Sequence, residues 1–253
     1  VTAPLFLLDA QQVGGDTVVL TGREGHHAAD VRRLRVGELV DVTDGLGLRL
    51  RCRVRSLRRG EAMLQVVDRL REPAPRPRVS VAQALVKQDA AERALAGMTE
   101  VGVDVVIPWA AHRSVVTWDD DRVARGLRRW QTWADEAAKQ SRRAWVPQVE
   151  PPVDTAGLVA LVQASSAALL LDIGGDVALP TIDLDGVEDV LLVVGPEGGL
   201  TEAELASLSA AGARSVHLGP TVLRAATAGT VATAVVLSRT DRWTAHVVEA
   251  PTG

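Results

Sequence analysis

Three stretches in the second half of the chain share one design. Ala167–Asp172 (AALLLD), Asp189–Gly195 (DVLLVVG) and Ser215–Gly219 (SVHLG) are apolar runs. Each ends in a turn rich in glycine or proline: DIGGD, GPEGG and LGPTVLR. An apolar run without polar alternation has to be covered on both faces. For strands, that means a parallel sheet between two helical layers. VSVAQALV and DVVIPW earlier in the chain have the same character. Helices read between the strands. Asp89, with Glu92 three residues on, predicts an N-cap for a helix ending near Gly102. Leu127, Trp130, Trp133, Ala134 and Ala137 fall at helical spacing within a long helix from about Asp120 to Arg143, and a last helix runs from about Ala225 to Ser238. The fold class is α/β, with a mostly parallel sheet and helices on both faces.

The first seventy residues follow another rule. LFLLDA, DTVVLTG and ELVDVTDG are short apolar runs bounded by turn residues, interrupted by one short helix, EGHHAADVRRLR. In LGLRLRCRVR, Leu48, Leu50, Cys52 and Val54 alternate with Arg49, Arg51, Arg53 and Arg55, so period two sends one set inward and the arginines outward. EAMLQVVD supplies a partner strand, and the whole reads as a small β-barrel. The proline-rich segment REPAPRPR (71–78) reads as a linker, which predicts domains at 1–72 and 73–253. Charge divides there as well. Residues 1–78 carry 14 Arg against 10 Asp and Glu, whereas 79–253 carry 14 Lys and Arg against 22 acidic residues. The net charge of −4 therefore hides a basic first part. Arg49, Arg51 and Arg53, beside Arg32, Arg33 and Arg35, are suited to following a phosphate backbone; a solvated strand face is the plainer reading. One Phe and no Tyr argue against base stacking on aromatics in the manner of an RRM, so RNA would be read by shape and charge.

In open α/β sheets, ligands sit beyond the carboxyl ends of the strands. Three consecutive strand ends carry special residues, which predicts one site built from three loops. Thr201 and Glu204 form a capping box that starts a helix at Glu202 and satisfies its terminus, leaving it less free to hold phosphate. Neither GxxxxGK[ST] nor GxGxxG after a first strand occurs. A neutral or zwitterionic ligand held by backbone groups fits better. The single cysteine, Cys52, excludes an internal disulfide and a cysteine metal cluster. His26 and His27 lack partners at metal spacing, so no metal is expected. No run is long enough to span a membrane and no signal peptide is recognisable, which leaves a cytoplasmic address.

VVGPEGGLTEAEL followed by LGPTVLRAATAGTVA resembles the signature of the RsmE family, S-adenosylmethionine-dependent rRNA methyltransferases of the SPOUT class. The resemblance continues through HHAADVRRLRVGELVDVTDG, KQDAAERALAGMTEVGVDVVIPWAAHRSVV and RRWQTWADEAAKQSRRAWVPQV, in collinear order over nearly the whole chain. It implies a PUA-like RNA-binding barrel, a trefoil-knotted C-terminal domain, and a homodimer without membrane or metal. It also implies methylation of uridine N3 in 16S rRNA near the decoding region, on rRNA or on the assembled small subunit. The cofactor residues it implies are Leu171, Asp172, Gly174, Gly195, Pro196, Glu197, Gly198, Gly199, Leu218, Gly219, Leu223 and Arg224. RNA contacts would come from Arg23, His27, Arg32, Arg33, Arg35, Arg49, Arg51, Arg53, Lys87, Arg113 and Arg142. The chain departs from many members at Thr221, where they have Arg, and at Ala226, where they have Glu or a hydroxyl residue.

Methyl transfer from a sulfonium needs positioning and no metal. Uridine N3 must lose a proton, and the resulting imide anion spreads charge onto its oxygens. An arginine aimed at one of them favours that state. Arg224 is the candidate for this role, with a structural ion pair as its alternative. Glu197 is the candidate carboxylate, with bracing of its own loop as its alternative. Methylation at pyrimidine C5 commonly needs a thiolate, and Cys52 points into a core, so attack by a ring nitrogen or a ribose 2′-hydroxyl remains. A protein that keeps this fold and binds RNA without catalysis is the third possibility.

Overall fold

A computed structural model of the chain describes residues 3–8 and 15–244. The chain forms two compact units, Val1–Ala74 with Ala138–Val146, and Pro75–Ala137 with Pro147–Gly253.

The first unit is a five-stranded mixed sheet. Its strands are β1 (Leu5–Leu7), β2 (Thr17–Leu20), β3 (Leu39–Thr43), β4 (Leu48–Arg58) and β5 (Glu61–Arg71), in the order β1-β3-β4-β5-β2. β1 and β3 are parallel and the other pairs antiparallel. The alternation in β4 is realised: Leu48, Leu50, Cys52 and Val54 are buried with Phe6, Val18 and Leu64. Irregularities at Arg51/Cys52 and Val54/Ser56 bend β4 against β5, which lets the sheet curve over this core. No pairing joins β1 to β2 among the described residues, so the sheet stays open there. A short helix, α1 (Gly22–His26), runs on into a π-helical turn at His27–Val31. Residues 138–146 are tied into the same unit. The Thr43 hydroxyl donates to the Ala144 carbonyl at 3.0 Å, Lys139 Nζ to Glu24 at 2.8 Å, and Trp145 Nε1 to the Glu72 carbonyl at 3.2 Å.

The second unit is a three-layer α/β structure. Its seven strands are β6 (Arg78–Ala84), β7 (Val105–Trp109), β8 (Gln148–Val149), β9 (Ala167–Leu171), β10 (Val177–Ala178), β11 (Asp189–Val194) and β12 (Arg214–His217). All are parallel, in the order β10-β12-β9-β11-β6-β7-β8. The core on one face joins α2 (Gln88–Val101), part of α3 (Asp120–Gln140) and α6 (Ala225–Ser238); that on the other joins α4 (Thr155–Ala164) and α5 (Glu202–Ala210). Both faces are therefore covered, as the continuous apolar runs require.

Two helix ends differ from expectation. Lys87, not Asp89, is the N-cap of α2, and no side chain caps it. Helical geometry begins ahead of Asp89, whose carboxylate lies inside the first turn and accepts from Arg93 at 3.2 Å. α3 stops at Gln140, short of Arg143, because Arg142 takes a left-handed conformation (φ 57°) that cannot continue it.

The strand order places β12 between β9 and β10, which are consecutive in the chain. From β10 the chain turns back through Leu179–Thr181 to β11, burying Leu179, Ile182 and Leu184 on the α6 face. Residues 172–188 thus cross past β12 and return, a crossover compatible with the knotted topology that the family resemblance implies. Gly175 makes this crossing feasible: a Cβ there would lie 2.8 Å from the Val216 backbone nitrogen.

Candidate functional site

The loops after β9, β11 and β12 meet around a cleft of about 450 Å³. Of the cofactor residues named from sequence, Leu171, Asp172, Gly195, Pro196, Glu197, Gly199, Leu218, Gly219, Leu223 and Arg224 line it; Gly174 and Gly198 do not. Ile173, Val194, Leu200, Leu205, Val216, His217, Thr221, Val222, Ala225 and Ala228 complete the wall; of these only Thr221 was singled out, as a departure from the family pattern. Val194, Leu205, Val216, Ala225 and Ala228 are apolar side chains within strands or helices, where their pattern has the same appearance as core.

Each loop is held by its own hydrogen bonds. Asp172 donates its N–H to the Val216 carbonyl at 2.9 Å and accepts the Gly174 N–H at 3.1 Å. In the second loop, Gly199 donates to the Pro196 carbonyl at 2.9 Å and takes φ 71°, a conformation suited to glycine. In the third, Gly219, at φ 103°, donates to His217 Nδ1 at 3.2 Å. The expected capping box is formed. The Thr201 hydroxyl accepts the Glu204 N–H at 3.2 Å, and the Glu204 carboxylate accepts the Thr201 N–H at 2.9 Å. Glu204 also accepts from the His112 N–H at 2.8 Å and the Thr155 hydroxyl at 3.4 Å. Burial pushes its carboxyl toward protonation, but these donors outweigh it and hold the pKa below the ordinary value.

After this accounting, the N–H groups of Glu197, Gly198, Leu200, Leu218 and Leu223 have no acceptor among the described residues. Free backbone groups beside apolar walls suit a flat heterocycle with polar edges, and the cleft lies within the size range of small-molecule sites. Glu197 and Arg224 are exposed at this cleft. The Arg224 carbonyl accepts from Thr227 and Ala228 as the N-cap of α6, whereas neither side chain makes a hydrogen bond or ion pair among the described residues.

The candidate RNA contacts fall into different surroundings. In the first unit, Arg23, Arg32, Arg33, Arg35 and Arg53 are exposed, and Arg33 takes φ 52°. Arg53 donates to the Gly37 carbonyl at 3.1 Å. Arg51 lies directly opposite Asp41 and pairs with its carboxylate, while Arg49 bridges Glu72 at 2.8 Å and the Arg142 carbonyl at 2.8 Å. Two charges of the stripe are therefore largely neutralised, by Asp41 on β3 and by Glu72 just past the end of β5. His27 packs edge-on to Phe6 at 5.7 Å; burial, then Lys139, lowers its pKa and favours the neutral ring. Arg142 is exposed. In the second unit Lys87 is exposed, and Arg113, also exposed, donates to the carbonyls of Gly198 and Leu200 at 3.2 Å each. Cys52 is buried, and burial pushes its thiol up to about 12, which removes it as a nucleophile. No group of metal-binding side chains occurs among the described residues, nor any helix long and apolar enough to cross a membrane.

Residues 72–237 match the model of an RNA methyltransferase domain, and residues 20–67 that of an RNA methyltransferase PUA domain. Sheet order, crossing loops and cleft thus define an RNA methyltransferase of the SPOUT class with an N-terminal PUA domain. Over 247 residues the chain is 42% identical to the ribosomal RNA small subunit methyltransferase E of Mycobacterium bovis, covering 96% of this chain and 94% of that protein. Identity to the Bacillus subtilis protein of the same name is 31%, covering 89% and 91%. The crystal structure of a ribosomal RNA small subunit methyltransferase E from Neisseria gonorrhoeae bound to S-adenosyl methionine has a TM-score of 0.83 at 28% identity, covering 94% and 98%. The chain belongs to the ribosomal RNA small subunit methyltransferase E family.

Proposed function

We propose that this protein transfers a methyl group from S-adenosylmethionine to N3 of a uridine in 16S rRNA, near the decoding region of the small ribosomal subunit. The observation that carries this reading is the three-loop cleft, with unclaimed backbone donors inside and an unpaired arginine and carboxylate at its wall. The N–H groups of Leu200, Leu218 and Leu223 are suited to the edges of the adenine, and Asp172 to the ribose hydroxyls. When bound, the cofactor supplies an electrophilic methyl group on its sulfonium. In this reading the Arg224 guanidinium stabilises the imide oxygen as the N3 proton leaves, and the Glu197 carboxylate receives that proton. The thiol of Cys52, held protonated, takes no part.

The division of labour we propose assigns RNA binding to residues 1–72 and catalysis to 73–253, with Arg32, Arg33, Arg35 and Arg53 as the phosphate contacts least engaged by carboxylates. Ile173 and Val222, 60% and 78% exposed beside the cleft, are the apolar surface a second copy would cover in a homodimer. Action on ribosomal RNA also fits a cytoplasmic protein. The test is methylation of small subunits lacking the modification, with the methyl group located by mass spectrometry of digested rRNA. A base-linked methyl on a uridine supports the proposal; a ribose-linked methyl replaces it with 2′-O transfer, and no methyl together with no cofactor binding leaves an RNA-binding protein. Arg224→Ala is expected to cut turnover about a hundredfold or more while sparing cofactor affinity.

A further inference from the structure

The second loop of the cleft is held from outside by two consecutive residues that follow β7. His112 offers its N–H to Glu204 at 2.8 Å, at the end of the loop where α5 starts. Arg113 spans the loop itself, one guanidinium nitrogen donating to the carbonyls of both Gly198 and Leu200. Gly198, which does not line the cleft, accounts for this approach: a Cβ there would lie 3.2 Å from Arg113 Cβ and 3.3 Å from the Arg113 carbonyl oxygen. The three glycines of GPEGG therefore serve three purposes. Gly195 forms cleft wall, Gly198 admits Arg113, and Gly199 supplies the left-handed turn.

We propose that Arg113 is a positioning residue for the cofactor, acting through the Gly198 and Leu200 carbonyls, and not an RNA phosphate contact. In a trans peptide the N–H points opposite to the C=O of the same unit. The carbonyls of Gly198 and Leu200 share their peptide planes with the N–H groups of Gly199 and Thr201, which are bonded to the Pro196 carbonyl and the Glu204 carboxylate. Arg113 holds these two planes from their carbonyl side, and the unclaimed N–H of Leu200 belongs to the plane between them. Arg113 thus orders the Leu200 donor before the ligand arrives, which lowers the ordering cost of binding. This inference rests on the reading of the cleft as the S-adenosylmethionine site.

The experiment compares Arg113→Ala, Arg113→Lys and Gly198→Ala in the full-length protein. Cofactor affinity is read by titration calorimetry, RNA affinity across a salt series, and methylation kinetics at varied cofactor. Arg113→Ala is expected to weaken cofactor binding roughly tenfold, the scale of charge-assisted hydrogen bonds. KM for the cofactor should rise in parallel while kcat at saturation stays within about twofold, a split that follows from lost binding and not from lost chemistry. Arg113→Lys keeps the charge and one donor, so it should recover part of the loss. Gly198→Ala keeps the arginine but presses on its backbone, and should weaken cofactor binding with no change in RNA affinity. If Arg113→Ala does not fold, the other two variants decide on the same readouts. Unchanged cofactor affinity in the variants, or a salt slope for RNA that falls by about one with Arg113→Ala, overturns the proposal. Failure of the wild-type protein to bind S-adenosylmethionine at all would instead remove the site assignment on which it rests.

Discussion

At the scale of single residues, the site depends on side chains that never face its ligand. Glu204 is 5% exposed and accepts from His112, Thr201 and Thr155, three segments that converge behind the cleft. Its donors hold the folded pKa below the ordinary 4.5. A carboxylate with a depressed folded pKa contributes stability fully above its unfolded value, and that contribution is lost as pH falls through the folded value. Glu204→Gln is therefore expected to cost about 1–3 kcal/mol at pH 7, with a smaller difference from wild type below pH 4.5. Urea unfolding at pH 7 and at pH 3.5 measures both, and an equal loss at the two values would refute the charge-based account. The Thr201–Glu204 box was legible because its two partners are three residues apart. The contact of Arg113 with Gly198 and Leu200 was not, because a hydrogen bond to a main-chain carbonyl places no demand on the identity of the residue that supplies it. The same limit applies to Asp41, which neutralises Arg51 only once the β3–β4 register sets them opposite each other.

At the scale of elements, α6 carries the third wall of the cleft. Ala225 and Ala228 from its first turn line the cleft, and Arg224 is its N-cap. Its position is fixed by close packing on α2. A Cβ on Gly97 would meet Thr230 Oγ1 at 2.6 Å, and one on Gly229 would meet Met98 Sδ at 2.6 Å. The thioether is a flexible end that can move aside, whereas Thr230 is β-branched and stiff. Gly97→Val is thus the harsher change. It is expected to cost about 1–3 kcal/mol through overpacking and to lower cofactor affinity by tilting α6, although Gly97 does not line the cleft. Thermal unfolding and calorimetric titration of one preparation test both parts, and full cofactor affinity in a destabilised variant would separate helix packing from the site. The helices themselves were legible in the apolar spacing and in the glycine stop at Gly102, which takes φ 118°. The α2–α6 contact was not, since two single glycines 132 positions apart in the chain give no local signal.

At the scale of the molecule, chain order and compactness part company. The first unit closes only with residues 138–146, which follow the long helix α3 and come from the middle of the sequence. Their contribution is specific. Lys139, 7% exposed, pairs with Glu24 at 2.8 Å, and Glu24 in turn accepts the Leu7 N–H at 3.1 Å. Trp145 covers Gly47, whose absent Cβ would lie 2.7 Å from the indole, and Gly47 donates its N–H to the Ala144 carbonyl at 3.0 Å. Nothing in SRRAWV marks it as part of a β-rich unit more than sixty residues upstream, because its bonds are mainly to and from the backbone. A fragment of residues 1–74 alone keeps all five strands but loses these partners, leaving Glu24 without its counter-ion and Gly47 and the Thr43 hydroxyl without their acceptor. Each hydrogen bond lost is worth about 0.5–1.5 kcal/mol, and together they are a large part of the stability of a domain this size. The fragment is therefore expected to unfold without a cooperative transition and to show poor amide dispersion by NMR. A well-dispersed spectrum with sigmoidal urea unfolding would mean that the sheet closes its core unaided and that 138–146 merely packs against it.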